Sequence, residues 1–171
     1  ITTIEGNHLF TKKAKGRLQN LKDLLKDENV LGHVGIGHTR WATHGIPSNL
    51  NSHPHTNNDE TISLVHNGII ENYKEIEEQV SKYEFKSETD TERVCALIDS
   101  YYNGDNELEA IEKAIELVKG SYALGVMFEG KDKLYGVKKD APLVLGVGEN
   151  EYFLSSDISA FLAYTKEHIF L

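Results

Sequence analysis

The sequence has one cysteine, Cys95, only three prolines, and no long apolar run in its 171 residues. A single cysteine excludes an internal disulfide framework and a zinc site built from several thiolates. No segment approaches the ~18 consecutive apolar residues of a membrane-spanning helix. Because no Pro-rich or low-complexity linker divides the chain, residues 1–171 are predicted to form one domain.

Basic residues are also in the minority. Lys and Arg number 18 against 27 Asp and Glu, which gives a net charge of −9. Nucleic acids and anionic membranes are bound by clustered Lys and Arg, so neither is expected as a partner. The hydrophobic fraction of 39% is ordinary for a globular domain. We therefore expect a soluble, cytoplasmic protein.

Both ends of the sequence lie in apolar material. Ile1 opens what looks like a strand, without an initiator Met or a signal peptide, and the last four residues are His-Ile-Phe-Leu. We therefore expect this sequence to be a piece of a longer protein.

The apolar periodicity predicts four amphipathic helices and a larger number of strands. The helices are predicted at residues 16–29, 71–83, from about Thr89 onward, and 106–119. Thr89 and Glu92 have the spacing of a capping box, which favours a helix start there. After an initial hairpin with its turn at Gly6-Asn7, strands are predicted at 30–38, 61–66, 121–128, 133–138, 142–147 and 152–155. Strands that arrive in consecutive pairs indicate antiparallel sheets with helices packed on their faces, an α+β fold.

Charge is nearly absent from residues 29–58, where Arg40 is the only charged side chain. The same stretch contains five of the eight histidines and the only tryptophan, Trp41. A guanidinium can hold a carboxylate or phosphate by two parallel hydrogen bonds, so a partly buried pocket with one fixed cation is favoured. The alternative is an Arg that pairs with a structural carboxylate in the core.

The histidines of this stretch raise the question of a metal site. His53 and His55 are two residues apart, and His38 and His44 could join them. No Asp or Glu lies among them, and neither a His-Glu-x-x-His motif nor a cysteine pair is present. Hydrogen-bonded structural or substrate-lining histidines are therefore favoured over a metal site.

Three further positions each allow two interpretations. Asn67-Gly68 follows an apolar strand and could form an oxyanion hole, or it could be a plain Asn-Gly turn. Asp90 begins a predicted helix and could cap it or bind a ligand ammonium. Cys95 lies near the apolar face of that helix, with no His at i±3 or i±4 to activate it, and is interpreted as a core residue.

Three motifs in this order resemble those of the glutaminase domains in the glutamine–fructose-6-phosphate aminotransferase family, which are class II glutamine amidotransferases. They are His38-Thr-Arg-Trp-Ala-Thr-His-Gly45, His66-Asn-Gly-Ile-Ile-Glu-Asn72 and Ser87-Glu-Thr-Asp-Thr-Glu92. The resemblance extends over the whole chain and includes Pro142-Leu-Val-Leu-Gly146 and Ser155-Ser-Asp157.

The resemblance implies a four-layer αββα sandwich of the N-terminal-nucleophile type. It also implies a reaction in which an N-terminal cysteine thiolate attacks the side-chain amide of L-glutamine, with its own α-amino group as the base. Ammonia leaves, and water hydrolyses the γ-glutamyl thioester. In the whole enzyme the ammonia passes to a sugar isomerase domain, where fructose 6-phosphate becomes glucosamine 6-phosphate. The resemblance implies no cofactor, and it implies a homo-oligomer for the full-length enzyme.

The resemblance also assigns roles to residues of this sequence. Arg40 would bind the glutamine α-carboxylate, Asp90 the α-ammonium, and Asn67 with Gly68 would form the oxyanion hole. Thr43 and His44 would line the glutamine site. Trp41 would gate ammonia passage.

The sequence departs from the family pattern at its beginning. The family starts with Cys-Gly-Ile, followed by a Tyr-Arg-Gly-Tyr-Asp-Ser-Ala-Gly stretch, and neither is present. We therefore expect the first strand, the first helix and the nucleophile to be missing, and the chain on its own to be inactive. Two alternatives are a non-catalytic module that retains the glutamine pocket and a histidine-based metallohydrolase.

Overall fold

The structure is a computed structural model that describes residues 1–28, 30–41 and 45–171. The first half of the chain contains β1 (Thr2–Glu5), β2 (His8–Thr11), α1 (Leu18–Leu24), β3 (Gly35–Ile36), β4 (His55–Thr56) and β5 (Ile62–Ile70). The second half contains α2 (Tyr73–Gln79), α3 (Asp90–Tyr101), α4 (Glu107–Leu117), β6 (Gly120–Phe128), β7 (Tyr135–Lys139), β8 (Val144–Val147), β9 (Tyr152–Ser155) and β10 (His168–Phe170).

A four-stranded antiparallel sheet forms the centre, with the order β4-β5-β6-β7. β5 and β6 are nine residues long and pair along their whole length, from Ile62 opposite Phe128 to Ile70 opposite Gly120. Residues 122–128 of β6 are all buried, because this strand is covered on both faces. Side chains of α2, α3 and α4 form the main core against one face, including Ile76, Val94 and Ile111.

Two three-stranded antiparallel sheets cover the other face. In the sheet β2-β1-β3, Ile4 and Ile36 pack against Met127 of β6. In the region of the sheet β10-β8-β9, Leu143 and Leu154 pack around Ala123 of β6. Successive side chains of a strand point to opposite faces, so β6 contributes alternate residues to the helix layer and to these sheets. The result is a helix layer, a central sheet and a second β layer.

The two small sheets do not meet along the part of the chain that the structure describes. β3 is the edge strand of one sheet and β9 is the edge strand of the other. A groove of about 180 Å³ lies between them, with Ile36 on one side, Leu154 on the other, and Ala123 and Gly125 of β6 in its lining.

Most predicted elements are present, with differences at the weaker ones. The hairpin turns at Gly6, whose φ is +62°, and α3 follows its predicted cap residue Thr89. The predicted helix at 16–29 is shorter, Leu18–Leu24, and buries none of its residues. Such a short helix depends on packing of its apolar face, which is not supplied within the described residues.

The strand prediction was wrong in length at two main places and incomplete at two. The strand expected at 61–66 extends to Ile70 as β5. The strand expected at 30–38 is only Gly35–Ile36, and β4 and β10 were not predicted. Strands of two or three residues are defined by their partners, because they are too short to show a period in the sequence. None of the helices formed by the described residues is long and apolar enough to cross a membrane.

Candidate functional site

One cavity brings together most of the predicted site residues. Arg40, Asn67, Gly68 and Asp90 line a space of about 230 Å³ at the end of β5 and the start of α3. Trp41 also lines it. Thr43 and His44 lie outside the residues that the structure describes. The four residues come from three separate motifs of the sequence, and the fold places them around one space.

Asn67 and Gly68 lie inside strand β5, so the interpretation as a plain turn was wrong. Gly68 is directly opposite Tyr122 in the β5–β6 ladder and has a φ of +134°. A Cβ at this position would lie 2.1 Å from the carbonyl oxygen of Ser121. Only glycine fits both the backbone conformation and this close approach. Both residues are exposed toward the cavity side, as polarisation of a bound carbonyl oxygen would require.

Asp90 is buried between two elements of the fold. It is the first residue of α3, but the cap is Thr89, whose side chain accepts a hydrogen bond from the backbone N–H of Glu92. The carboxylate of Asp90 instead accepts a hydrogen bond of 2.9 Å from the backbone N–H of Ile70, at the end of β5. The interpretation of Asp90 as the cap was therefore wrong. Its buried carboxylate is fixed at the cavity wall.

Arg40 supplies the positive charge of the cavity. It is half-buried, and its Nη2 donates a hydrogen bond of 3.4 Å to the carbonyl oxygen of Gly45. Among the described residues that line the cavity, Arg40 and Asp90 are the ones with charged side chains. The cavity thus presents one guanidinium and one carboxylate, which matches the opposite charges of an amino-acid zwitterion.

Four histidines form a cluster beside the cavity. The His38 and His53 rings stack with centroids 4.4 Å apart, and His55 and His66 lie 5.0 and 6.4 Å from His53. Nδ1 of His53 accepts a hydrogen bond from the backbone N–H of His66, so in the neutral ring Nε2 carries the proton and can donate to Thr91. The cluster connects the segment before β4 with β5 and with the start of α3.

The same surroundings keep three of these histidines neutral, namely His38, His53 and His55. Burial lowers the pKa of His38 to about 4 and that of His55 to about 3, with smaller contributions from neighbouring cationic groups. Burial also lowers the pKa of His53 well below its usual range. Neutral rings add no positive charge near Arg40. The rings are hydrogen-bonded and stacked, and three of them also line the cavity, so both roles favoured from the sequence, structural and substrate-lining, stay open.

No group of three or more His, Cys, Asp or Glu side chains in the described parts of the chain is arranged to hold a metal ion. Cys95 is also not a nucleophile candidate. It is completely buried in the main core, and burial raises the pKa of its thiol. Its interpretation as a core residue is confirmed.

Trp41 differs from the other residues of the cavity in its exposure. Its side chain is 91% exposed. Such exposure is unusual for a tryptophan, which is highly buried on average.

Thr91 is a site residue that the sequence analysis missed. It is completely buried, and its hydroxyl lies 3.0 Å from Nδ1 of His66 and 3.4 Å from both Nε2 of His53 and Oδ1 of Asp90. It thereby links the histidine cluster to the carboxylate. Its position next to Asp90 in the third motif was the only signal in the sequence.

The groove between β3 and β9 adjoins the cavity. His38, His66 and Asn67 contribute to the lining of both spaces. A chain segment that lay in the groove would therefore end beside Asn67, at the proposed oxyanion position.

Sequence comparisons relate the chain to glutamine-using enzymes. A family model for a glutamine amidotransferase domain matches residues 38–163. The chain is 52% identical over 170 residues to glutamine–fructose-6-phosphate aminotransferase (isomerizing) of Clostridium perfringens, and 55% identical over 170 residues to that of Clostridium tetani. Each match covers 98% of this chain. The chain spans 28% of the length of these curated relatives.

Comparison with solved structures identifies the fold. Glutamine phosphoribosylpyrophosphate amidotransferase from B. subtilis superposes with a TM-score of 0.77, covering 99% of this chain and 37% of its own. Its sequence is 22% identical, so the likeness concerns the fold alone. The predicted α+β fold, an N-terminal-nucleophile-type sandwich with antiparallel sheets, is confirmed. Of the four layers of the predicted αββα sandwich, the described residues form one helix layer and two β layers.

Proposed function

Because the chain belongs to the glutamine amidotransferase domain family, we propose that its cavity binds L-glutamine for hydrolysis of the side-chain amide. The observation that supports this most directly is that Arg40 and Asp90 line one cavity together with Asn67 and Gly68. Arg40 would pair with the α-carboxylate and Asp90 with the α-ammonium. An amide that lacks either charge would then form only one of these two ion pairs and would bind poorly.

Asn67 and Gly68 would bind the oxygen of the glutamine side-chain amide. When a nucleophile attacks the amide carbon, this oxygen becomes negatively charged, and donors placed there stabilise it. A cysteine thiolate is the nucleophile that the family resemblance implies. Its sulfur forms a bond to the carbon, the C–N bond breaks, and the nitrogen leaves as ammonia after it takes up a proton. Water then cleaves the thioester to release glutamate.

The nucleophile would be carried by an extended segment in the groove between β3 and β9. Both strands offer an edge to such a segment, and the groove adjoins Asn67. Within this sequence, Cys95 cannot take that place, because it is buried in the core on the helix side of the central sheet. The 171-residue chain on its own would therefore release no glutamate from glutamine.

The remaining assignments concern the whole protein. The ammonia would serve a sugar isomerase domain that converts fructose 6-phosphate to glucosamine 6-phosphate, in a cytoplasmic, homo-oligomeric enzyme. Trp41 would gate the passage of ammonia, which its exposure at the cavity supports. Thr43 and His44 would line the glutamine site. No cofactor, nucleic acid or membrane is part of this proposal.

Glutamine titration of the Arg40→Lys variant tests the proposed binding mode. One ammonium cannot reproduce the two-pronged contact of a guanidinium with a carboxylate. We expect glutamine affinity to fall by a factor of ~30 or more, the lower end of the roughly 2–5 kcal/mol for disrupting such a pair. Titration calorimetry gives the affinity, and thermal melting reports the folding. Arg17→Lys, in the exposed region before α1, is the matched control.

The competing interpretation, in which Arg40 is a structural residue, predicts the opposite result for melting temperature and glutamine affinity. If Arg40 were needed for a carboxylate of the core, Arg40→Lys would melt at a much lower temperature and would bind glutamine normally. That result would end the assignment of Arg40 to the α-carboxylate. Glutamate release by the 171-residue chain that disappeared in Cys95→Ala would likewise contradict the proposed nucleophile.

A non-catalytic binding module is the second candidate. The burial of Cys95 in the core favours it for the chain as it stands. Mass spectrometry of the natural protein separates the two. A mature N-terminal Cys-Gly-Ile would support the enzyme, whereas its absence would favour the binding module.

A further inference from the structure

The segment 45–51 connects the Arg40 region to β4 and has no helix or strand of its own. Such a segment is held by side chains, since its backbone groups lack the partners that regular structure provides. On one side it accepts hydrogen bonds from Lys13 and Lys15, and on the other it contacts the residues just before α3. Two side chains make the contacts with the residues before α3, Asn51 in the segment and Glu88 before the helix.

Asn51 and Glu88 form a reciprocal set of hydrogen bonds. Nδ2 of Asn51 donates to Oε2 of Glu88 at 2.9 Å, and the backbone N–H of Glu88 donates to Oδ1 of Asn51 at 3.0 Å. Nδ2 of Asn51 also donates to the carbonyl oxygen of Ile46 at 2.9 Å, and the backbone N–H of Ile46 donates to Oε2 of Glu88 at 3.3 Å. Asn51 is 3% exposed. A buried amide with all these partners fixes the segment in one position.

Gly45, the first residue of the segment, is packed closely against the side chains of Asn51 and Glu88. It has a φ of +76°, and a Cβ there would lie 2.6 Å from Nδ2 of Asn51 and 2.9 Å from Oε2 of Glu88. A side chain at position 45 would therefore push Asn51 and Glu88 away.

The hydrogen bonds of Asn51 and Glu88 involve residues close to both charged groups of the cavity, Arg40 and Asp90. The carbonyl oxygen of Gly45 accepts the hydrogen bond from Arg40, so a fixed Gly45 helps to orient the guanidinium. Glu88 is two residues before Asp90, whose carboxylate is held by the backbone N–H of Ile70. The pair thus connects the Arg40 side of the cavity to the Asp90 side.

We propose that Asn51 and Glu88 are positioning residues that set the distance between the Arg40 guanidinium and the Asp90 carboxylate. They touch no substrate. By fixing Gly45 against the start of α3, they hold the two charges at the spacing of an α-amino acid. This inference rests on the proposed function, because the positioned groups are those assigned to glutamine.

Glu88→Ala is the first test, with two measurements on the 171-residue chain. Amide hydrogen exchange at Ile46 reports the contact directly and needs no glutamine. We expect this exchange to become about tenfold faster or more when its acceptor is removed, because the loss of one such hydrogen bond changes an equilibrium by about that factor. The affinity for glutamine, measured by titration, should fall by a factor of about 10.

Three further variants separate positioning from a general loss of structure. Glu88→Gln retains an acceptor oxygen and should keep affinity within about threefold of the unsubstituted chain. The double variant Asn51→Ala/Glu88→Ala should bind no more weakly than the worse single variant, because both changes break one set of contacts. Glu112→Ala, an exposed position on α4, should change neither measurement.

The outcomes distinguish this inference from the proposed function. If the unsubstituted chain bound no glutamine, the proposed function and the positioning role would both be wrong. If it bound glutamine and Glu88→Ala bound equally well, the positioning role alone would be wrong. Unchanged exchange at Ile46 in Glu88→Ala would also overturn it, since the contact would then not hold the segment.

Discussion

At the scale of single residues, the site depends on atoms that are fixed by neighbours from other elements. The Asp90 carboxylate receives a backbone N–H from Ile70, and Thr91 lies between Asp90 and two histidines. Gly68 lies so close to the backbone of Ser121 that no side chain fits at this position. These positions are therefore sensitive to substitutions that alter shape without altering charge.

Gly68→Ala tests this close approach. The new Cβ would meet the Ser121 carbonyl oxygen at 2.1 Å, in addition to the strain of a φ of +134°. Gly104→Ala is the matched control, because Gly104 has a φ of +102° with nothing within 4 Å of its Cβ position. We expect Gly68→Ala to lower the free energy of unfolding by at least ~2 kcal/mol more than the control, as overpacking does. Equal losses in urea unfolding would contradict the tight packing of β5 on β6.

At the scale of elements, the first turn of α3 is where the parts of the site are in contact. Thr89 caps this helix, and its hydroxyl also lies 3.0 Å from Nε2 of His55, a buried residue of β4. The Glu92 carboxylate accepts hydrogen bonds from the backbone N–H groups of Lys86 and Ser87, before the cap residue, whereas the N–H of Thr89 donates to Ser87. One turn of helix therefore ties together the cap, the histidine cluster and Asp90.

Thr89→Ala is expected to cost more than the loss of an ordinary cap. Removing the cap oxygen costs about 1 kcal/mol, and a buried ring nitrogen left without its partner adds roughly 1–3 kcal/mol. Asp157→Ala is the control, because Asp157 caps a short 3₁₀ helix (Ile158–Ala160) at an exposed position. Urea unfolding should show at least twice the loss for Thr89→Ala, and Thr89→Ser should recover most of it. If the two alanine variants lost the same free energy, the link to His55 would carry no stability.

At the scale of the whole molecule, the histidine cluster joins the helix layer to the central sheet. Its members come from the segment before β4, from β4 itself and from β5, and they contact the first turn of α3. Three of its rings are neutral in the folded protein, since burial lowers the pKa of His38, His53 and His55. Protonation of these rings therefore acts against the fold as a whole.

Stability should fall as the pH is lowered from 6.5 toward 4. In this window the unfolded chain binds protons at histidines with an ordinary pKa of 6.5, whereas in the folded chain the pKa of His38 is about 4 and that of His55 about 3. The unfolded state is then favoured, by up to ~1.4 kcal/mol per pH unit for each such group. Above pH 6.5 these groups make no further difference.

Urea unfolding at pH 7, 6 and 5 measures this dependence. We expect a loss of ~2 kcal/mol or more between pH 7 and pH 5. His55→Gln should reduce the slope, whereas His168→Gln, which removes an exposed histidine of β10, should leave it unchanged. A flat profile between pH 7 and pH 5 would contradict burial of neutral histidines.

The sequence by itself determined which helices and strands show a clear apolar periodicity, and which types of residue the site contains. The alternation and apolar runs of β5 and β6, the capping box of α3 and the lone Arg40 are local properties of the chain, so they could be read without a fold. The three motifs likewise identified the family, because their order and residue types are written in the sequence.

Only the tertiary structure decided where these residues meet and which of two interpretations holds. Asn67-Gly68 belongs to a strand because Tyr122 of β6 lies opposite Gly68. Asp90 does not cap α3, because Thr89 is the cap and the Asp90 carboxylate accepts a hydrogen bond from the backbone N–H of Ile70. The short strands β4 and β10 exist only through their partners. Apart from the Thr89 cap, which is local, the deciding contacts join residues that are not neighbours in the chain, so no local pattern of the sequence contains them.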